Sequence, residues 1–126
     1  MKKNYHLCIS AGNEVMFRDL SDYYRGFNCF ALALHSSGST GLVESFMATH
    51  VHMLVQTSSP DDFMYKFRKS YSMYFNHKYG RTGKLGEKTH FTMEIVGHYH
   101  LIAAISYILR NALHHGLVPI PYSYPH

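Results

Sequence analysis

Short stretches of β-branched and apolar residues alternate along the chain with longer segments of helical period. They predict a first strand over about Tyr5 to Ser10 and a helix from near Leu20 to His35. A hairpin then pairs Leu42 to Met47 with His50 to Gln56, turning at Ala48-Thr49. Ser59-Pro60-Asp61-Asp62 has the form of an N-cap with proline at the first helical position and an acid at the third. The helix it opens spans about Asp61 to Tyr79, with Phe63, Phe67, Tyr71 and Tyr74 as its core stripe. A fourth strand covers Phe91 to Val96, and a last helix runs from His100 to His115, with Gly116 as C-cap. In that helix Leu101, Ile102, Ile105, Ile108, Leu109 and Ala112 share one arc. The order β-α-β-β-α-β-α predicts an α+β fold, a ferredoxin-like sandwich in which helices pack on one face of an antiparallel sheet. Residues 1–118 form one domain, and 119–126 form an extended proline-rich tail of a short or truncated chain.

Within the hairpin, Phe46-Met47-Ala48-Thr49-His50-Val51-His52-Met53-Leu54-Val55 places two histidines two residues apart on a strand. Residues i and i+2 share a face, so the imidazoles stand ~6.6 Å apart along it at a rise of ~3.3 Å per residue. Val51 points the other way, into the core. A strand histidine is ordinarily a satisfied core or surface residue, and the chain has eleven histidines. Two imidazoles on an apolar strand nevertheless need a partner that offsets their desolvation, and a divalent ion is one. In the last helix Tyr107 and Asn111 are i and i+4, off the apolar arc and beside the small residues Ala103 and Ala104. There Tyr107 offers a hydroxyl, with an amide one turn away, over a surface with room for a ligand. A second His-x-His, His98 and His100, is a useful control: in a helix the two point ~200° apart and cannot share one ion.

Charge adds a candidate partner. The net charge is only +4, yet Lys66, Arg68, Lys69, Lys78, Arg81, Lys84 and Lys88 fall in one stretch opposed by Glu87 alone. Aromatic residues interleave there, most of them on the buried side of the helix. Lys66, Lys69, Arg81 and Lys84, the last two in or beside the loop Gly80 to Gly83, are candidate phosphate contacts. Cys8 and Cys29 are too few for a disulfide framework and lack metal-motif spacing, which suits a reducing compartment and argues against a structural zinc site. No signal peptide and no membrane-length apolar run is visible.

These motifs, in this order, resemble the single-tyrosine HUH transposases, the group that includes insertion-sequence transposases and the REP-associated tyrosine transposases. The resemblance rests on Tyr5-His6-Leu7, Gly12-Asn13, Met16-Phe17-Arg18-Asp19, Asp22-Tyr23-Tyr24 and His50-Val51-His52. It continues through Tyr71, Tyr74-Phe75-Asn76, Gly80 to Leu85, and Tyr107-Ile108, Asn111 and Gly116-Leu117-Val118. It implies that His50, His52 and Asn111 hold a divalent ion, Mg²⁺ or Mn²⁺, and that Tyr107 is the nucleophile. The implied reaction is metal-dependent cleavage and rejoining of single-stranded DNA with hairpin or palindromic ends, through a 5′-phosphotyrosine intermediate. A phenol with a reference pKa of ~10 is a poor nucleophile at neutral pH. A Lewis acid at the scissile phosphate suits that weakness, and the covalent link lets the strand be rejoined without ATP. The resemblance also implies a cytoplasmic, nucleoid-associated protein of a bacterium or archaeon, and it allows monomer or homodimer. The chain departs from the family where Ala11 replaces an arginine, where Gly86 replaces a tryptophan, and at Ala48-Thr49 and Ala112, where prolines are usual. None of these positions is a catalytic group. The alternative from another functional class is a non-catalytic module of the same fold that binds DNA hairpins.

Overall fold

The computed structural model of the chain describes residues 1–11, 14–85 and 91–114, with side chains described as far as Asn111. Its elements run β1 (Lys3–Ser10), α1 (Leu20–Ser36), β2 (Thr40–Phe46), β3 (His50–Thr57), α2 (Pro60–Tyr79), β4 (Phe91–Ile95) and α3 (His98–His114). The Gly116 cap, His115, the tail 119–126, and Gly12, Asn13, Gly86, Glu87 and Lys88 lie outside the described residues. The strands form one antiparallel sheet in the order β2-β3-β1-β4, the split βαβ plan expected from the sequence.

Each helix end has a local cause. Asp19 caps α1 by accepting the Asp22 N–H at 2.9 Å. Gly80 ends α2 in the left-handed conformation, φ 61°, where its N–H reaches Asn76 O. Ser59 does precede α2 with Pro60 in the first turn, but its side chain makes no capping bond. The Ser59 N–H instead donates to Thr57 Oγ1 at 3.0 Å, so the backbone entering the helix is held from β3.

Two cores separate the two faces of the sheet. Leu7, Ile9, Val51, Met53 and Val55 pack against Phe30, Phe63, Phe67, Tyr71 and Phe75 of α1 and α2. On the opposite face Leu54 and Ile95 meet Ala104 and Ile108 of α3. The expectation of helices on one face thus describes α1 and α2, while α3 covers the other. That second cover explains why β3 is buried almost throughout, since a strand sandwiched on both sides has no solvent face. Among the described side chains of α3, Ala104, Ile108 and Asn111 are buried, and Ile102 is exposed. Ile108 of the expected arc is thus buried and Leu101 and Ile105 pack partly buried beside it, while Ala104 takes the place on the sheet that Ile102 does not. Among the described residues, no helix is long and apolar enough to cross a membrane.

Candidate active site

Register sets the site. Cys8 faces His52, Ser10 faces His50 and His6 faces Leu54 across β1 and β3. Phe91 and Met93 of β4 face Cys8 and His6, and Ser45 of β2 faces His52. Residues directly opposed in an antiparallel pair share a face. Phe91, Cys8, His52 and Ser45 therefore form one row across the sheet, with Met93, His6 and Leu54 in the next, all beneath α3. Val51 points into the opposite core, as its place between the histidines requires. The His50 and His52 rings stand edge to face with centroids 5.3 Å apart.

A third imidazole joins them. His6 Nε2 lies 3.1 Å from His52 Nδ1 in a buried hydrogen bond, and Cys8 Sγ lies 3.9 Å from His52 Nε2. Burial, followed by the nearby His100, holds His6 below the ordinary histidine pKa and so favours the neutral ring. His6 was not singled out from the sequence as a site residue. Its signal was the period-two set His6, Cys8, Ser10 opposite Leu7 and Ile9, which became informative only once β1 was paired with β3.

Tyr107 hangs over this group from α3. Its ring centre is 5.4 Å from that of His52 and 5.8 Å from that of His6, and the residue is 49% exposed. Asn111, 9% exposed, continues the Ala104–Ile108 stripe that faces the sheet. Tyr107 and Asn111 share the sheet-side half of α3, one at its open edge and the other under cover. Of the control pair, His100 is half-buried with Nδ1 accepting the Val96 N–H at 3.2 Å, whereas His98 is exposed.

The donor chemistry fits a divalent ion. Two imidazoles converge on one face, and an amide lies on the buried side of the helix above. Ser45 Oγ, across from His52, is a buried hydroxyl with no hydrogen-bond partner among the described residues, available to a ligand or to water. Among those residues no group of three or more His, Cys, Asp or Glu could hold a metal, so a site built on this pair would need a ligand of another kind, for which Asn111 is the candidate.

The predicted DNA-contact residues separate into different roles. Lys69 and Lys84 line an open groove of about 790 Å³ on the outer side of α2, together with Tyr65, Arg68, Met73 and Thr92. Lys66 pairs with Asp62 at 3.1 Å and donates to Ser36 O at the end of α1. Arg81 binds Glu14 through both Nε and Nη2, and Nη1 donates to Asn76 Oδ1 at 2.8 Å. Arg81 thereby ties the loop after α2 to the loop after β1. The basic stretch also meets more acid than Glu87: Lys78 pairs with Asp19 and Asp22. Arg68 is 7% exposed, and burial lowers its pKa.

By sequence, no protein-family model and no curated protein matches the chain. Solved structures do match. A REP-associated tyrosine transposase bound to a REP hairpin superposes with a TM-score of 0.75 at 13% identity, over 99% of this chain and 76% of that one. A presumptive transposase from Deinococcus radiodurans R1 superposes with a TM-score of 0.61 at 15% identity, over 88% and 91%. At these identities the likeness is one of fold, and the chain has the α+β fold of a REP-associated tyrosine transposase.

Proposed function

We propose that this protein is a single-tyrosine transposase that cleaves and rejoins single-stranded DNA at hairpin or palindromic ends. The observation that carries the reading is the placement of the Tyr107 ring 5.4 Å from that of His52, over the sheet face that also bears His50. His50, His52 and the Asn111 amide would hold Mg²⁺ or Mn²⁺. Such an ion, when bound, polarises the scissile phosphate and stabilises the charge that builds on its non-bridging oxygens.

The residues of the chain do the rest. Tyr107 sits at the open edge of α3, so its hydroxyl meets a strand arriving from solvent and its proton can pass to water. Its oxygen bonds to phosphorus, the bond from phosphorus to the 3′ oxygen breaks, and that oxygen takes up a proton. The result is a 5′-phosphotyrosine and a free 3′-hydroxyl. Attack by another 3′-hydroxyl reverses the step and releases Tyr107. His6, neutral and bonded to His52 Nδ1, fixes the orientation of that ring, the service a metal-bound histidine ordinarily draws from a hydrogen-bonded neighbour. The hairpin-bound neighbour supports hairpin DNA as the substrate class.

The test is a denaturing-gel shift with labelled hairpin oligonucleotides and Mn²⁺ or Mg²⁺. Wild type is expected to form an adduct that EDTA abolishes. Tyr107→Phe should form none while keeping its hairpin affinity, and His52→Ala should lose the metal-dependent product. An adduct with Tyr107→Phe would exclude Tyr107 as nucleophile. Hairpin binding without any adduct in wild type would leave a binding module of the same fold.

A further inference from the structure

Alongside Tyr107 the candidate active site widens into a pocket. It has a volume of about 460 Å³, within the ~300–1,000 Å³ common for small-ligand sites. Its floor is the sheet face, where Phe91 and Met93 of β4 stand next to Cys8 and His6. Its roof is α3, at Ala103, Ala104 and His100, and Tyr107 and His52 close the end nearest the candidate active site. Phe91 and Met93 are 46% and 40% exposed, large apolar side chains presented to an open cavity. Among the described residues, the lining contains no carboxylate.

One polar group is aimed by its own hydrogen bond. His100 Nδ1 accepts the Val96 N–H at 3.2 Å, so a neutral ring carries its proton on Nε2. Away from the His6, Cys8, His52 and Tyr107 end, the pocket therefore offers an aromatic face, a thioether, small apolar walls and the His100 ring N–H as donor. This set matches a flat heteroaromatic ring with a carbonyl acceptor on its edge.

We propose that this pocket is a nucleobase subsite, which takes an unpaired base next to the phosphate presented to Tyr107. Phe91 supplies the stacking face, Met93 and Ala103 the walls, and His100 the donor to a base carbonyl. The inference rests on the proposed strand-cleavage reading and adds to it how the single strand is positioned. The occupant follows from continuity: Tyr107 and His52 line both the pocket and the reacting centre, so a strand whose phosphate lies at one has a base within reach of the other. Stacking on an aromatic side chain contributes roughly 1–3 kcal/mol per base, or about 5- to 150-fold in affinity.

The test compares two oligomers with the same phosphates. One is oligothymidylate of about 12 nucleotides, a length in the ~4–16 range of single-strand sites. The other is an abasic oligomer of equal length. Affinities are read by fluorescence anisotropy, in the presence and absence of Mn²⁺. Wild type should bind oligothymidylate at least about 5-fold more tightly than the abasic strand. Ala103→Leu, which fills the pocket from an exposed helix position, and Phe91→Ala, which removes the stacking face, should each collapse that ratio. Both should leave abasic binding unchanged, with thermal melts confirming that the variants fold. His100→Ala should weaken oligothymidylate alone. A ratio that survives Ala103→Leu and Phe91→Ala, while wild type still forms the Tyr107 adduct, overturns the subsite and leaves the cleavage reading intact. Absence of both binding and adduct overturns the two together.

Discussion

Replacing Asp22 with asparagine tests the clasp that joins α1 to the far end of α2. The Asp22 carboxylate has no exposed side-chain surface and four donors. Oδ1 accepts from Tyr74 Oη at 2.6 Å and Lys78 Nζ at 2.9 Å, and Oδ2 accepts from Tyr79 Oη at 2.6 Å and the Arg18 N–H at 2.9 Å. Burial alone would raise its pKa, but the bonds from Tyr74, Tyr79, Lys78 and Arg18 outweigh it and hold the carboxyl at about 2. In Asp22→Asn an NH₂ group would face two of these donors. Breaking a buried charge pair costs ~3–5 kcal/mol. Lys78 keeps Asp19 at 2.8 Å, which points to the low end of that range, about 3 kcal/mol. With a urea dependence of about 2 kcal/mol per molar, the unfolding midpoint should fall by about 1.5 M.

The pH dependence gives a second readout from the same protein. A carboxyl lowered from 3.8 to about 2 stabilises the fold fully above the unfolded value, and that stability is lost as pH falls through the folded one. Lys78 and Asp19 lie at the solvent rim, so screening trims the pH-dependent part to roughly 1–2 kcal/mol. The gap between wild type and Asp22→Asn should therefore narrow by that amount between about pH 4 and pH 2. A variant whose midpoint stays within about 0.3 M of wild type at pH 7, or a gap that stays constant down to pH 2, would refute the clasp.

Other perturbations separate scaffold from the proposed DNA surface. A Cβ at Gly26, in the middle of α1, would meet Phe17 Cε1 at 2.7 Å and the Phe46 ring at 3.1 Å. Gly26→Ala should thus cost ~1–3 kcal/mol in overpacking, which outweighs the helix-propensity gain of ~1 kcal/mol. An unchanged or raised urea midpoint would contradict this packing. Lys69→Ala and Lys84→Ala should each reduce the salt dependence of hairpin binding by roughly 0.7–0.9 in slope. Arg81→Ala should lower the melting temperature with little effect on that slope, because its guanidinium is engaged by Glu14 and Asn76. The reverse pattern would make Arg81 the phosphate contact and the lysines bystanders.

The sequence disclosed what depends on local period. His50 and His52 share a face and Val51 lies in the core because strand alternation fixes both within three residues. The helices over Leu20–Ser36 and Pro60–Tyr79 were legible for the same reason. What depends on distant pairing was not. His6 reaches His52 only through the antiparallel register of β1 with β3. Arg81 and Lys78 look like unopposed positive charge when counted along one stretch, but their acids, Glu14, Asp19 and Asp22, come from far earlier in the chain. The orientation of α3 was legible only in part: Ile108, Leu101 and Ile105 of the hydrophobic arc do pack on the sheet, but Ile102 is exposed where packing buries Ala104.

That last exchange bears on how the site is built. A helix packed on a sheet through isoleucines and leucines all along its length would fill the space above His6 and His52. In α3 the two alanines, Ala103 and Ala104, come one turn before Tyr107, and both line the cavity there. The fully buried apolar contact is made by Ala104 and Ile108 against Leu54 and Ile95, with Leu101, Ile105 and Val43 packed partly buried against them. The face that carries α1 and α2 has a dense aromatic core and the Asp22 clasp, whereas the face under α3 gives up packing for room. A close-packed interior excludes ligands, so a sheet face that admits a strand, as the proposed function requires, has to be closed with small side chains. In this chain the small side chains stand beside Tyr107, the proposed nucleophile, and stability is supplied from the opposite face of the same strands.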